Sequence, residues 1–167
     1  MPQDTQVEPA SHPGPWNGAK HALAAPSRPA VFIMVPPDQL KDAWPLAEAK
    51  LGDIEAWSGG PHSLATTKEL CEMGEMQLWL AAVGPVIKGA ALTRVVRYPT
   101  GKRGLSITLC GGDDFAEWAH MADHFRDVAK GMDCDLGVEA VTRPGIGKAL
   151  KAMGWREHWR FYEIEAR

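Results

Sequence analysis

The pattern of apolar and polar positions divides the chain into two parts. The first thirty residues show no apolar periodicity and are interrupted by Pro2, Pro9, Pro13, Pro15, Pro26 and Pro29. Such a segment cannot bury enough apolar surface to offset the entropy of ordering it. From residue 31 onward, short apolar runs alternate with amphipathic stretches. The pattern predicts an extended proline-rich arm over residues 1–30 and one folded domain over residues 31–167. The arm either packs on its own domain or docks on a neighbour in an assembly.

Within the domain, the pattern predicts alternating strands and helices. The apolar run 31–35 ends at two prolines, as expected of a buried strand. The predicted ranges are strand 31–35, helices 38–57 (interrupted at Pro45) and 63–73, strands 76–83, 86–98 and 105–110, helix 115–131, strand 136–141, helix 146–153 and strand 157–164. This order predicts an α/β (α+β) domain in which helices flank a mixed central sheet with an antiparallel meander.

Capping signals and tryptophans refine these elements. Ser63 is the predicted N-cap of the second helix, and Asp38 is a plausible N-cap of the first. Four of the seven tryptophans are expected in or near the core, from their places in predicted helices and strands: Trp44, Trp57, Trp79 and Trp118. Tryptophan also anchors interfaces, so seven of them are compatible with assembly.

Charge and cysteine usage exclude several classes of function. The formal net charge is −3 and no basic stripe is present, which argues against a nucleic-acid partner. No apolar run approaches the roughly 18 residues that a membrane helix needs. The N-terminus lacks the charged and apolar regions of a secretion signal. Three widely spaced cysteines, Cys71, Cys110 and Cys134, fit reduced thiols in a cytosolic setting better than a disulfide framework.

The last third of the chain resembles the closing elements of the GNAT acetyltransferase family. Residues 136–141 resemble a strand of that family, Leu150-x-x-x-Gly154-Trp155 its short helix and turn, and residues 160–164 its last strand. The predicted order of elements is also that family's layout. More narrowly, the turn at 143–145 and the Gly-Gly-Asp-Asp stretch at 111–114 resemble GNAT-like proteins of tailed bacteriophages. The likeness covers about residues 30–167 and implies a GNAT-like fold.

The resemblance breaks down where GNAT enzymes hold acyl-CoA. Those enzymes carry an Arg/Gln-x-x-Gly-x-Gly/Ala loop whose backbone N–H groups cradle the pyrophosphate. The matching residues here are Gly111, Gly112, Asp113 and Asp114. Two glycines still allow close approach, whereas two carboxylates at a helix N-terminus repel a second anion. Asp114 and Glu117 have capping-box spacing, so helix capping is favoured and the loop is interpreted as a vestigial acyl-CoA site.

A second glycine-rich turn, at residues 143–148, precedes the predicted short helix. It is one residue short of phosphate-loop spacing, so a tight turn is favoured over a phosphate site. Where the family often carries a general-acid tyrosine, the resemblance places Lys151. A lysine would need an unusual environment to act there, and the sequence contains no signal for one. No catalytic residue is therefore assigned.

Two histidines, His120 and His124, stand four residues apart in the predicted long helix, which is the spacing of a zinc pair. Met121 occupies the position where an H-E-x-x-H metalloprotease carries its glutamate. Both histidines fall off the predicted apolar stripe, beside Asp123 and Asp127. A solvated helix face, and no metal site, is therefore expected.

Two functions from different classes follow. The first is a non-catalytic GNAT-fold protein of a tailed phage, present in the virion or the host cytoplasm and needing no cofactor. Its arm would dock on other virion proteins or on copies of itself, with Trp16, Pro13 and Pro15 at the interface. The alternative is an N-acetyltransferase that uses acetyl-CoA through a degenerate loop. It stays open because backbone N–H groups do most phosphate binding. Neither nucleic acid nor a membrane is an expected partner.

Overall fold

A five-stranded sheet organises the computed structural model, which describes residues 30–54, 62–140 and 144–158. In chain order the elements are β1 (Val31–Met34), a 3₁₀ turn (Pro37–Gln39), α1 (Leu40–Leu51), α2 (Leu64–Glu72), β2 (Gln77–Val83), β3 (Val86–Arg97), β4 (Arg103–Gly112), α3 (Phe115–Trp118), α4 (Met121–Gly131), β5 (Val138–Ala140) and α5 (Pro144–Ala152). The elements from β1 to β5 form one compact unit, and α5 belongs to a second one.

The strands lie in chain order across the sheet, from β1 at one edge to β5. Neighbours from β1 to β4 are antiparallel, whereas β4 and β5 are parallel. The tight turn between β2 and β3 needs a left-handed residue, and Gly84 supplies it with φ 58°. The predicted α/β class, with a mixed sheet that contains an antiparallel meander, is confirmed.

Side chains cover both faces of β2, which explains why that strand is almost continuously apolar. Leu78 and Leu80 join the core cluster that includes Trp44 and Leu51 of α1. Trp79 alternates with them and packs on Phe125 of α4, at a centroid distance of 5.2 Å. Helices therefore contribute to the core on both faces of the sheet.

The first helix differs from its prediction. A kink or two short helices were expected at Pro45, yet α1 runs unbroken from Leu40 to Leu51 with Pro45 inside it. Asp38 lies in the 3₁₀ turn, and Gln39 is the N-cap of α1, without a side-chain cap. Burial of Leu40, Trp44, Ala47 and Leu51 along one face holds the helix together against the roughly 3 kcal/mol that an interior proline costs.

The predicted long helix is two helices, α3 and α4, separated at Ala119 and His120. Its predicted apolar face is nevertheless buried at Trp118, Ala122 and Phe125. A Cβ on Gly89 of β3 would lie 2.9 Å from the Trp118 ring, so that tryptophan packs directly on the sheet. Docking of this ring fixes α3 separately from α4.

The remaining predictions have mixed outcomes. Ser63 caps α2 as predicted, through a reciprocal capping box with Thr66. Trp44, Trp79 and Trp118 are buried as predicted, and Trp57 lies outside the described residues. Of the predicted strand 157–164, residues 157 and 158 are not extended strand, and the rest lies outside the described residues.

The described residues contain no helix that is both long and apolar enough to cross a membrane. Cys71, Cys110 and Cys134 are thiols. Burial raises the pKa of Cys71 to about 11, with a smaller contribution from Glu72, so this thiol is inert at neutral pH.

Candidate functional site

The residues interpreted as a vestigial acyl-CoA loop lie at the end of β4 and just beyond it. Gly111 and Gly112, expected in a loop, are instead the last two residues of the strand. A Cβ on Gly111 would stand 2.5 Å from the Lys50 carbonyl oxygen, and one on Gly112 would stand 2.3 Å from the Lys88 carbonyl oxygen. Close packing of the protein's own backbone therefore accounts for both glycines.

Two lysines hold the carboxylates that follow. Lys50, in the last turn of α1, lies 2.5 Å from the Asp113 carboxylate. Lys88, in β3, lies 2.8 Å from Asp114 and 3.2 Å from Glu117. The hydrogen bond and charge of Lys50 hold the pKa of Asp113 below its usual range, and the hydrogen bonds and charges of Asp114 and Glu117 raise the pKa of Lys88. These five residues are named the loop ion cluster.

The backbone of this loop is also engaged. The Asp113 N–H donates to the Lys88 carbonyl oxygen at 2.8 Å. The Asp113 carbonyl oxygen accepts a 2.8 Å hydrogen bond from the Trp118 indole N–H. Asp114 precedes α3 in the left-handed conformation, φ 46°, and its side chain makes no capping hydrogen bond. The capping-box prediction for Asp114 and Glu117 is wrong, because both carboxylates turn to Lys88 instead.

These features test whether the loop can hold the pyrophosphate of acyl-CoA. A phosphate cradle needs outward-facing N–H groups and the N-terminus of a helix long enough to carry a dipole. The Asp113 N–H is already bonded, and α3 is only four residues long. Two carboxylates also occupy the loop, each about two-thirds exposed. This arrangement does not fit a pyrophosphate group.

Strands β4 and β5 pair only briefly. Their parallel register runs from Leu105 opposite Val138 to Ile107 opposite Ala140. Thr108 is then an extra residue in the ladder with β3, because the register shifts between Leu92 and Thr93. The Thr108 hydroxyl is buried without a hydrogen-bond partner in the described part of the chain. Residues 108–112 extend past the last described pair with β5, and the sequence offered no signal for this bulge.

His124 of α4 and His120, the N-cap of that helix, are not on a solvated face, contrary to the prediction. Both are partly buried, and both pack on Phe32 of β1. They line a shallow cleft of about 490 Å³ with Asp123 and Asp127. No group of three or more His, Cys, Asp or Glu side chains within 30–54, 62–140 and 144–158 is arranged to hold a metal ion.

Other residues singled out from the sequence lie apart from this loop or outside the described ranges. The glycine-rich stretch was predicted to be a tight turn, but residues 144–148 instead form the first half of α5. Lys151 of α5 forms an ion pair with Glu157. Trp16, Pro13 and Pro15 lie outside the described residues, as does Arg143. Their proposed roles stay predictions.

The acidic residues of the loop ion cluster were identified from the sequence, but its lysines were not. Asp113, Asp114 and Glu117 were recognised as acids before a helix. Lys50 and Lys88 were missed because they are 63 and 25 positions distant from Asp113 (113 − 50 and 113 − 88). Lys50 lies in the last turn of α1, where a lysine is commonly found because it interacts favourably with the helix dipole. Its position in the sequence therefore does not indicate a distant carboxylate partner.

Comparison with known proteins gives the fold. No family model and no curated protein sequence matches the chain. Among solved structures, an aminoglycoside acetyltransferase from an uncultured soil metagenomic sample, in complex with sisomicin, matches with a TM-score of 0.59 and 10% identity, over 83% of this chain and 97% of that one. A predicted acetyltransferase with acetyl-CoA from Clostridium acetobutylicum matches with a TM-score of 0.55 and 12% identity, over 81% and 96%.

A transcriptional regulator from Bacillus halodurans also matches, with a TM-score of 0.57 and 13% identity, over 82% of this chain and 99% of that one. The chain therefore has the GNAT acetyltransferase fold, as the sequence resemblance implied. Identities this low show the fold alone. The narrower likeness to phage proteins is not found among the three matches named here.

Proposed function

We propose that this chain uses the GNAT fold for binding another macromolecule and does not transfer acyl groups from acyl-CoA. The observation that carries the proposal is the loop ion cluster, in which Lys50 and Lys88 are held by the chain's own carboxylates. An incoming pyrophosphate would have to displace carboxylates that already neutralise both cations. It would also meet their negative charge at close range.

The backbone supports the same proposal. In a phosphate cradle the amide groups supply most of the binding. The Asp113 N–H already donates a hydrogen bond to the Lys88 carbonyl oxygen. A Cβ added at Gly112 would collide with the same strand, β3. The glycines thus serve close packing of β3 and β4.

The finer part of the proposal is a role in a tailed-phage particle, in the virion or the host cytoplasm. The sequence resemblance at residues 143–155 and the Gly-Gly-Asp-Asp stretch support it. The proline-rich arm would contact other virion proteins or copies of this chain, with Trp16 as an aromatic anchor between Pro13 and Pro15. Ordering such an arm costs conformational entropy, which is offset only when the arm binds a partner surface.

An acyltransferase is the second candidate, and specific observations favour it. The matching structures named above include acetyltransferases, one of them with acetyl-CoA. The bulge at Thr108 also leaves a buried hydroxyl without a partner in the described chain, beside the stretch of β4 that extends past its last described pair with β5. If the chain is an acyltransferase, the acyl group would bind beside this stretch of β4. The pyrophosphate would then bind somewhere other than a cradle of backbone N–H groups.

Calorimetric titration with acetyl-CoA separates the two candidates. The proposal predicts no saturable heat for the wild-type chain at millimolar ligand. Substitution of Gly111 or Gly112 is unsuitable, because the added Cβ would disrupt folding. The double variant Asp113→Asn, Asp114→Asn is the informative one, with Asp123→Asn, Asp127→Asn on α4 as the matched control.

Micromolar binding by the wild-type chain that weakens on Lys88→Met would overturn the proposal and support the acyltransferase. Absence of acetyl-CoA binding by the wild-type chain supports the proposal, whether or not the double variant gains binding. A gain in the double variant alone would show in addition that the carboxylates are what exclude the ligand.

A further inference from the structure

A set of aromatic rings fastens the first strand of the sheet. Phe32 of β1 stacks on His124 at a centroid distance of 5.2 Å with an interplanar angle of 27°, and it meets His120 edge-on at 5.3 Å. His124 also meets Trp79 of β2 edge-on at 5.3 Å. Phe125 contacts His124 at 5.6 Å. These five residues are named the aromatic clasp.

Strand β1 has few other attachments. It lies at the edge of the sheet, with β2 as its one neighbouring strand in the described part of the chain. Of its four side chains, Phe32 is half-buried and the other three are exposed. His120 adds a hydrogen bond from its ring to the Ala30 carbonyl, 3.1 Å from Nε2. The clasp is therefore the main side-chain attachment of this strand.

The clasp accommodates neutral imidazole rings. A carbonyl oxygen only accepts, so the Nε2–H of His120 donates to Ala30 and Nδ1 is left without a proton. Nδ1 of His120 and Nε2 of His124 are both buried and lack a hydrogen-bond partner within the described residues. A protonated ring would place an N–H with no acceptor at such a position, which is costly.

Charged groups on the same helix do little to offset that cost. Asp127 raises the pKa of His124, but the larger effect of burial lowers it. Asp127 is already paired with Lys130 at 3.0 Å, and Asp123 is paired with Arg126 at 2.9 Å. All four side chains are more than half exposed, so solvent screens them.

The strands around α4 add no compensating charge. β1 and β2 contain no ionisable side chain. Arg103 is the one charged residue of β4, and Glu139 is the one charged residue of β5. The Glu139 carboxylate accepts a hydrogen bond from the Tyr98 hydroxyl. Neither charged residue contributes to the shift at His124, whereas His120 lowers the pKa of His124 further.

We infer that the aromatic clasp is a pH-sensitive latch, in which protonation of His124 releases β1. With β1 detached, His124 loses its contact with Phe32 and becomes more exposed to water, so its pKa moves back toward the ordinary value of 6.5. The attached state binds the proton more weakly. The latch is therefore closed above pH 6.5 and opens progressively as the pH falls below that value.

Amide hydrogen exchange on the full chain tests this inference. The Val35 N–H, bonded to the Leu78 carbonyl at 2.9 Å, reports the end of β1, and amides of the central strand β3 serve as the internal reference. After correction for intrinsic rates, protection at β1 should fall by up to about tenfold per pH unit below 6.5. Protection at β3 should not change with it.

His124→Phe is the informative variant, because it keeps an aromatic ring and removes the titrating group. It should clearly weaken the pH dependence of protection at β1, while His158→Phe, at an exposed position, should leave the wild-type response. Equal protection of wild-type β1 from pH 7.5 to 5.5, or an unchanged pH response in His124→Phe, would overturn the inference.

Nuclear magnetic resonance of the wild-type ring keeps the inference testable if His124→Phe does not fold. The ring resonances of His124 should titrate with a midpoint below 6.5, and the β1 amides should shift with the same midpoint. Titration at or above 6.5, or β1 amides that ignore it, would contradict the latch.

Discussion

The loop ion cluster and the aromatic clasp both fasten a chain segment to the sheet, but by different physics. In the loop, lysines neutralise exposed carboxylates, and the attraction is strong only while charges persist and salt is low. In the clasp, buried and half-buried rings pack without net charge, and the attraction lasts only while the imidazoles stay neutral. The loop should therefore respond to salt and strong acid, and the clasp to mild acid.

The largest expected effect comes from removing the most deeply buried ring of the clasp. Phe125 is fully buried and packs on Trp79 and Phe32. Phe125→Ala should lower the free energy of unfolding by about 3–5 kcal/mol. Urea unfolding measures this, with the partly exposed Phe115→Ala as the control that should cost clearly less. Equal losses in the two variants would mean that the clasp is not part of the core.

Next in size is the close packing at the loop. Gly112→Ala places a methyl group 2.3 Å from the Lys88 carbonyl oxygen, and should cost about 3 kcal/mol through backbone displacement. Gly131→Ala is the matched control, since a Cβ there meets nothing within 4 Å. It should be neutral or slightly stabilising in urea unfolding. A neutral Gly112→Ala would show that β3 and β4 do not approach so closely.

A smaller effect is expected from the buried polar contact under the clasp. The Trp79 indole N–H donates to the Thr93 hydroxyl at 2.8 Å, and that hydroxyl also contacts the Gln77 amide oxygen at 3.1 Å. Trp79→Phe keeps an aromatic ring but leaves Thr93 without its donor, which should cost about 1–2 kcal/mol. Trp155→Phe, outside the clasp, is the control. An unchanged free energy of unfolding in Trp79→Phe would mean that Trp79 stabilises the clasp through ring packing alone, without a contribution from the Thr93 hydrogen bond.

The loop has its own pH signature. Because Lys50 lowers the pKa of Asp113 below its ordinary value of 3.8, the stabilising effect of this pair is complete above pH 3.8 and is lost as the pH falls through the lowered value. Lys50→Met should return the Asp113 titration toward 3.8, as followed by carbon resonances of the carboxyl group. An unchanged titration would mean that the ion pair does not persist in solution.

The smallest effect is the salt response of Lys88. Its partners Asp114 and Glu117 are at the surface, so Lys88→Met should change stability little. It should, however, reduce the difference between unfolding midpoints at low and high salt. Lys130→Met, which removes a pair within α4, tests whether any lysine has this effect. An identical reduction in both variants would leave the loop indistinguishable from an ordinary surface.

Much of the fold could be predicted because local patterns and tertiary packing agree. Apolar alternation, the turn at Gly84 and the cap at Ser63 each indicate the element that forms. Prediction failed where packing overrides local preference. Pro45 does not break α1, since the buried face of that helix holds it, and the docked Trp118 ring divides the predicted long helix in two.

The site was less predictable because its contacts are distant in sequence. Asp113 and Asp114 were recognised, but their partners depend on which strands and helices become neighbours. His120 and His124 were assigned to the wrong face for a related reason. The apolar stripe of the helix says nothing about Phe32, which reaches the histidines from an edge strand nearly ninety positions earlier in the chain.

The most direct test is an amide nuclear magnetic resonance spectrum of the wild-type chain titrated with coenzyme A to millimolar concentration. Because the Asp113 N–H is bonded to Lys88 and the loop carboxylates are held by lysines, the amide resonances of residues 111–115 should not move. Saturable shifts of those amides, centred on Asp113, would contradict the closed loop and make this chain a binder of acyl-CoA.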